Sequence, residues 1–163
     1  MAGMDSNEAL RGQLSRYLAW HEAHAGFDAA VADVPFELQG RQPQGLPHSP
    51  WQLLEHLRIA QEDILDFCRN ANYVHKKWPD DYWPANPAPP SAQAWDESVA
   101  AYRRGREAMQ QLASDPAVDL FARIPHGETQ TYLREVLLVA DHASYHVGQL
   151  VLIRRLLGNW SGR

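Results

Sequence analysis

His142 and His146 stand four residues apart in the run Asp141-His142-Ala143-Ser144-Tyr145-His146. On a helix that spacing projects both imidazoles from one face, with Cβ atoms about 5 to 6 Å apart. Their nitrogens can then reach one metal ion at about 2.0 to 2.1 Å each. A third nitrogen from a neighbouring helix would complete a three-histidine set and leave a coordination position for water or substrate. His56 is best placed to supply it, because it borders the apolar arc of Leu53, Leu54, Leu57, Ala60 and Ile64, where a side chain can point along a seam between helices. Spacing alone is weak evidence in a chain with eight histidines, since such a pair also arises by chance. Burial strengthens it: two imidazoles in an apolar seam need polar partners for their ring nitrogens, and a shared metal supplies them.

The other chemically capable residues carry less. His21-Glu22-Ala23-His24 looks like a zincin motif but spaces its histidines three apart, so it reads mainly as a packing and surface feature. His21 lies in line with Leu10, Leu14 and Tyr17 and is kept as a candidate site neighbour. His48, His75 and His126 read as loop residues. Glu135 and Gln149 share the helical stripe of the two histidines and could act as base, as acceptor for an imidazole or as substrate contact; an ordinary solvated role is the alternative. Asp141 and Tyr145, also four apart, either orient the imidazoles or form a plain surface pair. Cys68 continues the apolar line of Leu54, Leu57 and Leu65 and has no activating base in view, so it is a poor nucleophile. No Ser-His-Asp pattern, phosphate-cradling glycine loop or dinucleotide fingerprint occurs.

The elements that must position these residues can be read from the prolines. A proline inside a helix costs about 3 kcal/mol, yet the eleven here are grouped and leave four free windows, 1–34, 51–78, 91–115 and 126–163. Strand signals are missing, so the spacing predicts four helices, at about 6–33, 50–71, 91–114 and 129–157. Ser49-Pro50-Trp51-Gln52 has the form of a capping box with proline at the first helical position. Asp5 or Ser6 can start the first helix and Ser91 the third, while Gly158 suits the residue after the fourth, with Arg154 and Arg155 near its negative end. The fourth helix is apolar nearly all round, as expected of a central helix. Residues 73–90 hold five prolines and the aromatics Tyr73, Trp78, Tyr82 and Trp83. That is too aromatic for a disordered linker, so an ordered loop, over a pocket mouth, is expected.

Composition bounds the partners. A chain of 163 residues with 45% hydrophobic content suits one domain with a continuous core. A single cysteine excludes an intrachain disulfide framework and fits a reducing compartment. A formal charge of -5 without a Lys/Arg cluster argues against nucleic acid. The polar N-terminus has no signal-peptide form, and uninterrupted apolar runs fall far short of the roughly 20 residues of a membrane span. A cytoplasmic protein is expected.

The segments Pro47-His48-Ser49-Pro50-Trp51-Gln52-Leu53-Leu54-Glu55-His56-Leu57 and Asp141-His142-Ala143-Ser144-Tyr145-His146-Val147-Gly148-Gln149-Leu150 resemble the DinB-like (damage-inducible) metalloprotein superfamily. Tyr82-Trp83-Pro84 and the ending Arg154 to Trp160 are similar to one uncharacterised bacterial branch of it. The resemblance implies an all-α fold, a four-helix bundle with a long crossover. It also implies a divalent metal on His56, His142 and His146, the trio already selected from helical phase; zinc and nickel are expected first, although other first-row ions suit three imidazoles as well. Family members include transferases that use low-molecular-weight thiols (bacillithiol, mycothiol or glutathione) and proteins described as hydrolases, so the small-molecule substrate stays open. The expectation is a metalloenzyme activating water or a thiol, with Glu135 or His21 as proton carrier. The alternatives are a non-catalytic metal-binding stress-response bundle and a metal-free structural bundle. Six tryptophans and family habit favour a homodimer.

Overall fold

Local capping chemistry sets the helix starts. The computed structural model describes residues 5–19 and 22–161 and contains α1 (Ser6–Leu18), α2 (Phe27–Val31), α3 (Phe36–Gln39), α4 (Pro50–Arg69), α5 (Ala92–Ser114) and α6 (Tyr132–Leu156). There is no strand among the described residues; one isolated antiparallel bridge joins Arg123 and Thr131. Asp5, Ser49, Ser91 and Thr131 each accept a backbone N–H at the start of their helix. At Ser49 the box is reciprocal, with Oγ accepting from the Gln52 amide and Gln52 Oε1 accepting from the Ser49 amide, both at 3.2 Å. α6 ends in a Schellman turn: Gly158 has φ 71°, and the amides of Gly158 and Asn159 donate to the carbonyls of Arg155 and Arg154.

The second, third and fourth windows each hold one long helix, but the first does not. The helix expected over 6–33 stops at Leu18, and a five-residue α2 begins after Gly26, which is extended at φ -82°, ψ 175°. The short α2 is held by a tertiary contact. Arg154, buried in α6, donates through Nη1 to the carbonyls of Ala29 and Ala30, both at 3.0 Å, and so fixes the C-terminal turn of α2 against α6. Its Nε stays at the end of its own helix, on Asn159. Arg11 plays the same part elsewhere, donating to the carbonyls of Ala113, Asp115 and Val118 where α5 ends. Each arginine satisfies carbonyls that a helix end leaves without partners.

The bundle is formed by α1, α4, α5 and α6. Near their starts α5 meets α4 through Ser98, which donates to Glu55 Oε1 at 2.6 Å; near their ends Arg69 donates to the Ala108 carbonyl at 2.8 Å. α4 and α5 therefore run parallel, which obliges residues 70–91 to cross back along the length of α4. Gly105 lies where Gln61 of α4 leaves no room for a Cβ. α6 runs opposite to α4, since His142 meets His56 while Val136 packs with Cys68. α1 runs opposite to α5, with Gln110 donating to the Ser15 carbonyl. One apolar cluster gathers Trp51, Leu53, Leu54, Leu57, Trp95, Tyr102, Val147 and Leu150; the other gathers Leu14, Cys68, Met109, Leu120, Ile124, Val136 and Val139. The histidines fall where the two meet. By length and composition α6 would pass as a membrane-crossing helix, yet here it packs on α1, α2, α4 and α5.

Candidate metal centre

Antiparallel packing of α4 on α6 brings His56 to the pair one turn apart on α6. His56 Nε2 and His142 Nε2 are 3.0 Å apart, and one ligand atom from each of His56, His142 and His146 lies within 4.8 Å of the others. Two of the three tautomers follow from their surroundings. His56 Nδ1 lies 3.0 Å from the Tyr82 carbonyl, which can only accept, so Nδ1 carries the proton and Nε2 the lone pair. His146 Nδ1 lies 2.7 Å from Gln149 Oε1; Gln149 Nε2 donates to the Tyr145 hydroxyl at 3.1 Å, so the amide is oriented to accept from His146. Burial lowers all three pKa values, to about 4 for His56 and about 3 for His142, with the neighbouring imidazoles adding to both. Near pH 7 the three imidazoles are neutral, the charge state in which histidine binds a metal, and His142 Nε2 donates to the His56 lone pair in the metal-free cluster. The donor set fits a divalent ion, and the three histidines could hold one.

The crossover loop forms the rest of the site. Asp63, buried on α4, accepts from the Tyr82 hydroxyl at 2.6 Å and from the Tyr73 hydroxyl at 3.0 Å. Burial and the Asp63 carboxylate push both phenols up, Tyr73 to about 12, so both remain donors. Farther along, Gln52 donates to the Pro84 carbonyl at 3.1 Å and Ser49 Oγ to the Pro87 carbonyl. The residues that cap α4 thus also hold the loop. Trp83 stacks on His56 with centroids 3.8 Å apart and rings 6° from parallel, and on His48 at 3.9 Å.

Beside the cluster lies a cavity of about 310 Å³ whose walls include His56, His142, Asp63, Tyr73, Trp78 and Glu135. Glu135 is 2% exposed and pairs through Oε1 with Arg134 at 2.7 Å. His75 contributes to the same wall and Gln149 touches His146 directly. Tyr145 hydrogen-bonds Gln149 and packs edge-on against the His146 ring at 4.8 Å, whereas Asp141 is exposed. His21 lies outside the described residues. Cys68 is buried with its thiol pushed up to about 12, chiefly by burial, consistent with an inert core position. Sequence reasoning missed His48, Asp63 and the main-chain role of Tyr82, because each depends on the return path of the loop. The aromatic content of 73–90 was the available signal.

A helical bundle with three convergent histidines between two antiparallel helices, covered by a crossover loop, defines the class. The model of the DinB superfamily matches residues 17–150, and the chain belongs to that superfamily. Comparison with curated proteins and with solved structures gives no match.

Proposed function

We propose that this chain is a metal-dependent enzyme in which His56, His142 and His146 hold a divalent ion, zinc or nickel, facing the adjoining cavity. The observation that carries the reading is the convergence of three imidazoles, with His56 and His146 fixed by acceptors at Nδ1, next to a cavity large enough for a small molecule. A bound ion supplies Lewis acidity that makes water or a thiol nucleophilic near neutral pH. The chain's own residues do the rest. Tyr82 and Gln149 orient two imidazoles. Phe67, Tyr73, Trp78 and Leu138 give the cavity an apolar wall for the body of a substrate. Glu135 has one oxygen engaged by Arg134 and the other available to accept a proton.

Glu135 answers the need for a proton carrier from inside the wall. Arg134, the one guanidinium lining the cavity among the described residues, is already engaged with Glu135. An acidic thiol would find little to grip there, so hydrolysis or transfer to a neutral thiol fits better. The cavity beside the histidines favours an enzyme over a storage or sensing bundle, which needs no room for substrate. The test is hydrolysis of a p-nitrophenyl ester and thiol transfer to a chlorodinitrobenzene acceptor by metal-loaded protein. Activity in at least one assay should disappear on chelation, return with metal, and fall about a hundredfold in Glu135→Gln. Turnover that survives chelation, or none in either assay, would count against the reading.

A further inference from the structure

Two of the three histidines have an acceptor at Nδ1, the Tyr82 carbonyl for His56 and Gln149 Oε1 for His146. His142 Nδ1 has none among the described residues; the ring's hydrogen bond runs from Nε2 to His56. Beside this ring lies a narrow void between α4, α5 and α6, walled by apolar Leu57, Ile64 and Val139 and by the polar side chains of His142, Tyr102 and Gln61. Gln61 is 3% exposed, and neither Oε1 nor Nε2 of its amide has a hydrogen-bond partner among the described residues. A buried amide without partners costs stability, and the void is too narrow for a water molecule to supply them. A second cost accompanies the first. Gly105, in the middle of α5, is less favourable there than alanine, and a Cβ at that position would fall on the Gln61 amide. An apolar side chain at 61 would fill the seam without leaving polar atoms unpaired, so packing alone does not account for the amide.

We infer that Gln61 is the positioning residue of His142: in the metal-loaded protein its Oε1 accepts from His142 Nδ1–H. The inference rests on the proposed three-histidine ion. A neutral imidazole carries one proton. In the metal-free cluster His142 holds it on Nε2, toward His56. With Nε2 turned to the ion, the ring stays neutral only with its proton on Nδ1; one proton leaves Nε2 to solvent and one returns to Nδ1. That Nδ1–H then needs an acceptor, as metal-bound histidines have. Gln61 offers a carbonyl oxygen with both lone pairs free, on the wall of the void that His142 shares. Each imidazole of the trio is then held at Nδ1, by Tyr82, Gln149 and Gln61 in turn.

Zinc affinity of the full chain, by competition with a chromogenic chelator, and urea unfolding of its metal-free form test this together. Gln61→Leu should bind zinc about tenfold or more weakly. Its metal-free form should be no less stable than the parent, because an unpaired buried amide has given way to an apolar side chain of similar size. A merely structural Gln61 would instead lose metal-free stability and keep its affinity. Gln61→Glu, which retains an oxygen at the same reach, should keep the parent affinity, and so should Tyr102→Phe, the control at the other polar group of the void. In the zinc-loaded parent, two-bond proton–nitrogen spectra should show His142 protonated at Nδ1, with that proton protected from solvent exchange. A parent that takes up no zinc overturns the metal reading and this inference with it. Zinc bound as tightly by Gln61→Leu as by the parent, a loss confined to Tyr102→Phe, or a His142 Nδ1 proton unprotected in the zinc-loaded parent overturns this inference alone.

Discussion

His56 is oriented by two groups of the crossover loop: a main-chain carbonyl at Nδ1 and the face of an indole. Tyr82 supplies the carbonyl, and its phenol is anchored on Asp63. Tyr82→Phe and Asp63→Asn should therefore weaken metal binding about tenfold to a hundredfold, measured by competition with a chromogenic chelator. Melting of the metal-free variants should change much less than Asp63→Ala changes it. Equal loss of affinity and of metal-free stability would make the contact merely structural. The same imidazoles set an acid dependence in metal-free protein. Above about pH 6.5 they are neutral both folded and unfolded. Below it the unfolded chain takes up protons that the buried rings refuse, so stability should fall with pH, levelling near pH 4 for His56 and pH 3 for His142. Urea titrations from pH 8 to 4 check this, and replacing His142 by Gln should flatten the slope.

At the scale of elements, what was legible in the sequence was local. Ser49 and Gln52, Ser91 and Gly158 do their work within a turn of their own positions, so the ends of α4, α5 and α6 could be read from residue types. The anchoring of α2 could not, because the partner that fixes it is Arg154, more than a hundred residues away. The helical phase of His142 and His146 was likewise legible, since i,i+4 spacing needs no tertiary knowledge, and the apolar arc of α4 pointed to His56. The return of the crossover along α4, which recruits His48, Asp63 and Tyr82, is a tertiary contact with no periodic signature. Arg154→Met should cost about 2 to 4 kcal/mol, because it leaves the carbonyls of Ala29, Ala30 and Asn159 without their donor. Denaturant unfolding measures this; a change within about 0.5 kcal/mol, typical of a surface substitution, would contradict the role assigned to it.

For the whole molecule, the parallel pairing of α4 with α5 has the largest consequence. It forces a long connection back along α4, and that connection carries the aromatics that stack on His56 and wall the cavity. Fold and site are therefore coupled: the same hydrogen bonds that return the chain to the start of α5 position His56. The central claim remains that His56, His142 and His146 hold a metal together, and elemental mass spectrometry of protein purified without added metal tests it most directly. About one equivalent of a first-row divalent ion per chain is expected in the parent protein, with at least a tenfold loss in His142→Ala and in His146→Ala, both still folded by circular dichroism. Stoichiometric metal retained by both variants, or a parent chain that takes up none even when dialysed against zinc or nickel, would contradict the account.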